Sequence, residues 1–600
     1  MQKFPLPQTA LPDIAISFED DFMRSNTHDD IYFSAEGGLA ESDYVFCDGT
    51  DLETLLKTRS HITIAETGFG TGLNLCAVQR LRNKVGSKCQ IDYISFEACP
   101  LTADIIAKAH RPFPEIERYS AQLQKGLPPR WPGYHKVILD EGRLHLHLYY
   151  GVALPLLKTC SFKADVWFLD GFNPRKNDDL WDEEMLAEIG RCSGAGARLA
   201  TFTVAATVRN GLERAGFQLT KRAGFGKKRD MLTAVMPGCL RETSQPQRVA
   251  IIGGGIAGAS LVRACLNRNI TPILIEKAPH LAAGASGNPI GIQSARIRVH
   301  HDELSRLSVS CLSFASHLAA KEGAVAHEGS ILISHTDKEL KRQHKLTDQN
   351  WHEDLHLPLS PSEISEKTGF PATHDGVYQA ASSMIKPPHF VTSLAQGAAL
   401  YLGDEVVNSE AGDNGVTLML ASGAVLEVDK VILATGAAMP HLLTLCGLPH
   451  IPLDVSAGQI SIFEGDNAKS DLTTGLHFGG YLTPVIEGAQ YMGASFDRSG
   501  QTDVTETGHQ HNFGLLPPPW QDSGPQIQGA KGRLSHRLAT TDRLPLVGEI
   551  TAQFHVMTAL GARGLTHAPL LAEVAVANLC DCPTGFDQEV IEAIAPARYL

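Results

Sequence analysis

One pattern limits the fold of this chain more than any other, and it occurs twice. An apolar strand runs into a cluster of glycines, and a stretch able to form a helix follows at once. In HITIAETGFGTGLNLCAVQRL (His61–Leu81), Ile62 and Ile64 alternate as in a strand, Gly68, Gly70 and Gly72 form a turn, and Leu73 opens the helical stretch. In RVAIIGGGIAGASLVRACL (Arg248–Leu266), Val249–Ile252 leads into Gly253, Gly255 and Gly258, spaced G-x-G-x-x-G. Strand, glycine turn and helix together bring backbone close to a nucleotide. Six hundred residues exceed one hydrophobic core, so an α/β chain with two nucleotide-type domains is expected.

The two turns differ in the ligand they suit. Glu66 stands just before the first, and no lysine follows its last glycine as a phosphate-binding loop requires. An acid there repels phosphate and suits a cationic ligand with hydroxyls and an amine, such as S-adenosylmethionine. The next strand, Ile91–Ala98, ends near Glu97, which can accept both hydroxyls of a ribose; the alternative is a surface glutamate at a strand end. Val166–Leu169 reads as a buried central strand and stops at Asp170-Gly171-Phe172-Asn173-Pro174. Ligand crevices of open α/β sheets lie at the carboxyl ends of the strands. Asp170 is therefore placed to hold an attacking amine and accept its proton. Phe172 can stack on a flat base or wall the pocket, and Asn173-Pro174 fixes the turn; a purely structural turn is the alternative. In KRAGFGKKRD (Lys221–Asp230) five of ten residues are basic. Lys227, Lys228 and Arg229 can hold backbone phosphates, and Phe225 offers a stacking platform. The other reading is a solvated loop.

The second turn is followed by ITPILIEK, ending in the acid Glu276 and Lys277. Strand, turn, helix, strand and acid together indicate a dinucleotide. The later sequence favours FAD over a nicotinamide. Val431–Gly436 runs from strand into glycine. FHVMTALGARGLTHAPLLAEVAVANL has a turn at Gly561–Gly564 and a helix expected to open near Ala568-Pro569. That helix dipole can face the flavin pyrimidine ring, which gains negative charge on reduction; plain packing is the alternative. Small residues at Gly284–Gly291 permit close approach of backbone to the flavin. Arg533 can clamp a substrate carboxylate, or, with the nearby Arg537 and Arg543, solvate a surface.

The net charge of -14 disfavours a protein that coats nucleic acid but allows a local basic face. No run of about eighteen apolar residues marks a membrane span, and prolines occupy the place of a secretory core. The 12 cysteines are scattered, so no metal site is expected and reduced thiols in the cytoplasm are.

The set E-T-G-F-G-T-G-L-N, S-F-E, W-F-L-D-G-F-N-P-R-K-N and G-F-G-K-K-R-D-M, over about residues 15–237, resembles the methyltransferase half of the bifunctional family that makes 5-methylaminomethyl-2-thiouridine at the tRNA wobble position. From about 248 to 580, I-I-G-G-G-I-A-G, G-A-S-G-N, G-G-Y-L-T-P, T-T-D-R-L-P-L-V-G and L-G-A-R-G-L-T-H-A-P-L resemble the FAD-dependent amino acid oxidase superfamily, and specifically the oxidoreductase half of the same enzyme. The resemblance implies a class I methyltransferase Rossmann-like domain (1–240), a linker (241–247), and an FAD-binding Rossmann domain with an α+β substrate domain of amino acid oxidase type (248–600). The FAD-binding parts would be about 248–300, 375–450 and 540–600, and the substrate side 301–374 and 451–539. It makes Asp170 catalytic. It puts S-adenosylmethionine on Glu66, Gly68, Gly70, Gly72, Asn74 and Glu97, and FAD on Gly253, Gly255, Gly258, Glu276, Gly561, Arg563 and Gly564. Two positions depart from the family pattern: Val152 stands where an acid near the adenine is typical, and Ala562 where a serine often precedes R-G-L. The implied reaction removes the carboxymethyl group from 5-carboxymethylaminomethyl-(2-thio)uridine at position 34 and then methylates the freed amine. The implied partner is a tRNA anticodon loop, not DNA or a membrane, met by a monomeric protein. The alternative is an oxidase fused to a methyltransferase, acting on a free small amine.

Overall fold

The computed structural model describes residues 10–19, 22–33, 37–172, 179–300, 302–413, 415–469 and 471–600. The turn residues Asn173 and Pro174 lie outside them. The chain divides into two compact units, one of Met1–Gln245 with Ala577–Gln588, the other of Pro246–Val576 with Glu589–Leu600.

The first unit is built on an eight-stranded sheet. Its strands are β1 (His61–Glu66), β2 (Gln90–Glu97), β3 (Gly133–Leu139), β4 (Leu144–Tyr150), β5 (Ala164–Phe168), β6 (Ser193–Thr201), β7 (Gln218–Ala223) and β8 (Asp230–Val235). They lie in the order β7-β8-β6-β5-β1-β2-β4-β3. β1 pairs in parallel with both β2 and β5, so the chain reverses its direction of winding beside β1. A crevice opens at such a point, past the carboxyl ends of the strands. Val166–Phe168 of β5 are buried, which explains why that segment reads as a near-continuous apolar run.

The expected boundary at 248 assigned the whole remainder of the chain to the oxidoreductase, but Ala577–Gln588 packs with the first unit. Phe586 is 3% exposed and meets the Tyr134 ring edge-on, centroids 5.2 Å apart. The Tyr149 hydroxyl donates to the Gly585 carbonyl at 2.5 Å. Cys582 Sγ lies 3.6 Å from His61 Nε2, which also bonds Asp92 at 2.7 Å. Burial of an aromatic ring and a hydroxyl that needs an acceptor fix this segment.

In the second unit, β9 (Arg248–Ile252), β10 (Thr271–Glu276), β11 (Ala399–Leu402), β12 (Lys430–Leu433), β13 (Leu546–Glu549) and β14 (Phe554–Thr558) form one sheet. Its order is β11-β10-β9-β12-β14-β13. A nine-stranded sheet includes Val325–Ile333, Leu453–Glu464 and Lys531–Thr540, and Val406–Gly412, Gly415–Leu420 and Val425–Val428 form a separate three-stranded sheet. Gly376–Ile385 fell within the expected FAD-binding part, yet it pairs antiparallel with Val325–Ile333 in the nine-stranded sheet. No described helix is long and apolar enough to cross a membrane.

Candidate active sites

A cavity of about 390 Å³ opens past the ends of β1, β2 and β5 and is lined by Gly68, Gly70, Asn74, Glu97, Asp170 and Phe172, among others. The turn that floors it needs glycine at two positions. Gly70 (φ 53°) and Gly72 (φ 75°) are left-handed, where a side chain is strained. A Cβ at Gly72 would also lie 2.6 Å from Leu123 Cδ2. At Gly68 a Cβ would rest 3.5 Å from the Asp170 carbonyl oxygen, an ordinary contact.

Four polar side chains are wired together beside the cavity. Asn74 Nδ2 donates to Glu66 Oε1 and to Asp170 Oδ2, each at 2.8 Å. Ser95 Oγ donates to Glu66 Oε2 at 2.9 Å, and Gly171 N to Asp170 Oδ1 at 2.8 Å. Burial pushes Glu66 up to about 8 and Asp170 up to about 6 against these hydrogen bonds. Asp170 is thus ionised at neutral pH, more basic than an ordinary carboxylate, and able to accept a hydrogen bond and a proton from an amine as the amine gains positive charge. Glu97 accepts from Gly70 N and Cys99 N, each at 2.8 Å. Burial holds its carboxyl above the usual range. It therefore shapes the glycine turn and keeps acceptor capacity for hydroxyls.

Phe172 stacks on His28, centroids 4.7 Å apart, and meets the edge of Tyr32 at 5.3 Å, making an aromatic wall. Lys228 also lines the cavity. Its ammonium bonds Glu41 at 2.7 Å and lies 4.2 Å from the Phe202 centroid. Lys227, Lys228 and Arg229 are all exposed, but only Lys228 is among the residues lining the cavity. Phe225 packs against the core beside Tyr44 and is not a free platform. Exposed Val152 lines the cavity, so the departure from an acid leaves an apolar contact there. His28, Tyr32 and Glu41 were not legible as site residues, because the segment that carries them has no periodicity or motif.

In the second unit every glycine of the fingerprint has a geometric reason. Gly253 has φ 116°, and a Cβ there would lie 2.6 Å from the Ala434 carbonyl oxygen. A Cβ at Gly255 would lie 3.3 Å from Ser286 Oγ, and one at Gly258 would overlap the Gly253 carbonyl. The helix Ile256–Asn267 starts at once, presenting its N-terminus to a pyrophosphate. Glu276 accepts from Gly254 N at 2.6 Å and from Ala278 N at 2.8 Å, which closes the loop on the acid expected at the ribose. The cradle fits a dinucleotide.

The later helix opens at Gly564, not near Pro569, and runs to Leu579 with Pro569 inside it. Proline lacks the N–H that would bond the Leu565 carbonyl. Gln293 Nε2 donates to that carbonyl instead, at 2.9 Å, and this substitute lets the helix pass through. Gly561 (φ 55°) has open space where a Cβ would be, so backbone stands accessible at the turn. The Arg563 guanidinium donates to the Ser294 carbonyl at 3.3 Å, and Gly564 lies against Ile256 at the start of the fingerprint helix. Ala562 is exposed.

Arg533 does not stand free as a clamp. It donates to Asn288 Oδ1 at 2.8 Å, to the Ala283 carbonyl at 3.0 Å and to the Gly284 carbonyl at 2.6 Å. It braces the small-residue loop, and Gly287 is needed because a Cβ there would collide with it. Arg537, on the same face of strand Lys531–Thr540, has one long bond to the Ser495 carbonyl at 3.4 Å. It lies over the Phe496 ring at 4.5 Å. Gly458 makes room for it, since a Cβ there would come within 2.6 Å of its Cζ. Burial lowers the pKa of both guanidinium groups, but Arg537 keeps the donors to meet a carboxylate.

The family description "S-adenosyl-L-methionine-dependent methyltransferase" matches residues 114–237, and "FAD dependent oxidoreductase" matches 248–578. The tRNA 5-methylaminomethyl-2-thiouridine biosynthesis bifunctional protein MnmC of Marinobacter nauticus is 31% identical over 98% of this chain and 98% of its own. The protein of that name from Idiomarina loihiensis is 31% identical over 96% of this chain and 97% of its own. Among solved structures, glycine oxidase from Geobacillus kaustophilus aligns with a TM-score of 0.51 at 20% identity, covering 59% of this chain and 100% of that one. L-proline dehydrogenase from P. horikoshii aligns with a TM-score of 0.50 at 17% identity, covering 59% and 98%. These two likenesses concern the fold.

Proposed function

The chain belongs to the family of bifunctional tRNA 5-methylaminomethyl-2-thiouridine biosynthesis proteins, and from that premise we propose that it finishes the wobble uridine of tRNA in two steps. The first converts 5-carboxymethylaminomethyl-(2-thio)uridine to 5-aminomethyl-(2-thio)uridine. The second N-methylates that amine. The substrate is the anticodon loop at position 34, which offers its base unpaired; a monomeric protein acts on it in the cytoplasm.

Gly253, Gly255, Gly258, Glu276 and the Gly561–Gly564 turn would hold FAD, which would accept the two electrons lost by the methylene between amine and carboxylate. The resulting imine adds water, which releases glyoxylate and leaves a primary amine. Arg537 pairs the substrate carboxylate, and Arg533 holds the Ala283–Asn288 loop in place. Glu66, Asn74, Glu97 and the Gly68–Gly72 turn would hold S-adenosylmethionine, which would supply the methyl group. Asp170 orients the amine and takes the proton that it must lose before or during attack. Phe172 walls the base. Lys227 and Arg229 hold backbone phosphates, while Lys228 tunes the pocket through Glu41 and Asp170.

The observation that carries the reading is the Asn74 amide shared by Glu66 and Asp170, which leaves a basic carboxylate at the end of the cavity. Undermodified tRNA is incubated with the protein, with and without S-adenosylmethionine, and its nucleosides are analysed. The aminomethyl nucleoside accumulates without the donor and is methylated with it. Asp170→Asn keeps the oxidative step and stops the second. Inert tRNA beside turnover of free glycine would favour a free-amine oxidase fused to a methyltransferase.

A further inference from the structure

The segment Ser294–Val299 lies outside the helices and strands, yet its backbone is pinned residue by residue. Ser294 N donates to Thr566 Oγ1 at 3.2 Å, Arg296 N to Ser308 Oγ at 2.7 Å, and Arg298 N to Ser305 Oγ at 3.2 Å. Its side chains alternate. Ala295 (8% exposed) and Ile297 (3%) point inward, and Arg296 and Arg298 are exposed. Two further guanidinium groups bind its carbonyls: Arg563 reaches Ser294 at 3.3 Å and Arg342 reaches Ile297 at 3.2 Å.

Four arginines are thus gathered along one strap of an acidic protein. Among the described residues, Asp302 is the one carboxylate ion-paired with any of them, through Arg298. The crowding has a cost. Burial and then Arg298 and Arg342 lower the pKa of Arg296, and burial and then Arg296 and Arg342 bring Arg563 down to about 10. A single substrate carboxylate would satisfy one guanidinium and leave the rest unmatched. A chain of phosphodiesters matches the row. The strap also starts at the first turn of the helix Gly564–Leu579, through Ser294 and Thr566.

We propose that Ser294–Val299, with the exposed Arg296, Arg298 and Arg342 and braced from within by Arg563, is the strap on which the RNA phosphodiester backbone docks when the oxidoreductase site receives its base. This rests on the tRNA reading above.

The test uses the full flavin-loaded chain and measures binding of undermodified tRNA from about 50 to 200 mM salt. Arg296→Gln/Arg298→Gln is expected to lower the slope of log affinity against log salt by about 1.4, since each lost contact to a single-strand phosphate removes about 0.7. Affinity at the low-salt end drops about tenfold or more. Arg296→Lys/Arg298→Lys retains the slope, and both variants retain flavin. An unchanged slope in the glutamine variant overturns the proposal. So does a rise in the KM for oxidation with tRNA binding unaltered, which would assign the strap to the substrate carboxylate. A wild-type protein that binds tRNA with the strap-dependent slope but never oxidises it leaves the docking strap standing and refutes the proposed reaction.

Discussion

Asn74 donates from one nitrogen to both carboxylates of the methyl-transfer cavity, so its replacement by leucine has a calculable effect. Leucine keeps the volume and removes both bonds. A hydrogen bond to a charged group contributes about 1.5–3 kcal/mol, and one pKa unit is about 1.4 kcal/mol. Asp170, already pushed up to about 6, should therefore rise by a further one to two units or so. At about pH 7 its ionised fraction, and with it kcat/KM for methylation, falls between about two- and tenfold, and recovers by about pH 9 to 10. The assay is methylation of tRNA that already carries the primary amine, followed across pH. Stability supplies a second readout. Glu66 at about 8 and Asp170 at about 6 both titrate above the unfolded value of about 4. The folded state therefore binds their protons more tightly. Stability present at low pH is lost as pH rises through that window, and the leucine variant loses more of it because its window extends higher. A methylation profile that drops in height with its midpoint in place would refute the reasoning, since Asn74 would then act by packing alone.

Arg537→Met should raise the KM of the oxidative step at least about thirtyfold with flavin retained, as truncating one partner of a buried charge pair costs about 2–5 kcal/mol; Arg533→Met should instead weaken flavin retention by releasing the Ala283–Asn288 loop. Gln293→Leu leaves the Leu565 carbonyl without a partner, at a cost of about 1–3 kcal/mol, read as an earlier release of flavin on heating. Phe586→Ala should destabilise the first unit by about 3–5 kcal/mol, seen as loss of methylation at a temperature where flavin is still held.

What was legible in the sequence followed from backbone demands. Gly72 and Gly253 admit no side chain without collision, and the acids Glu97 and Glu276 close their loops by accepting backbone N–H groups. Glycine clusters and strand-end acids therefore announced both nucleotide cradles. What was not legible depended on partners distant in the chain. Arg533 and Arg537 look alike in sequence, and only the carbonyls of Ala283 and Gly284 distinguish the brace from the free donor. Pro569 read as a helix start because the rule that places proline there is local. The Gln293 amide that lets it sit deeper comes from 276 residues away. Of the cavity residues that escaped notice, Tyr32 lies on an irregular lead-in and Glu41 ends the four-residue helix Gly38–Glu41, too short for periodicity to carry a signal.

The chain passes from one unit to the other at 245, returns at 577 and leaves again at 589. Two enzymes joined by a tether would cross once. Cutting the gene at the apparent linker would give a first half with bare Tyr134 and Tyr149 faces and a hydroxyl deprived of its acceptor. The second half would carry a twelve-residue passenger belonging to its neighbour. The fusion is therefore woven rather than end to end, and a lineage that wished to separate the two activities would first have to rebuild that surface.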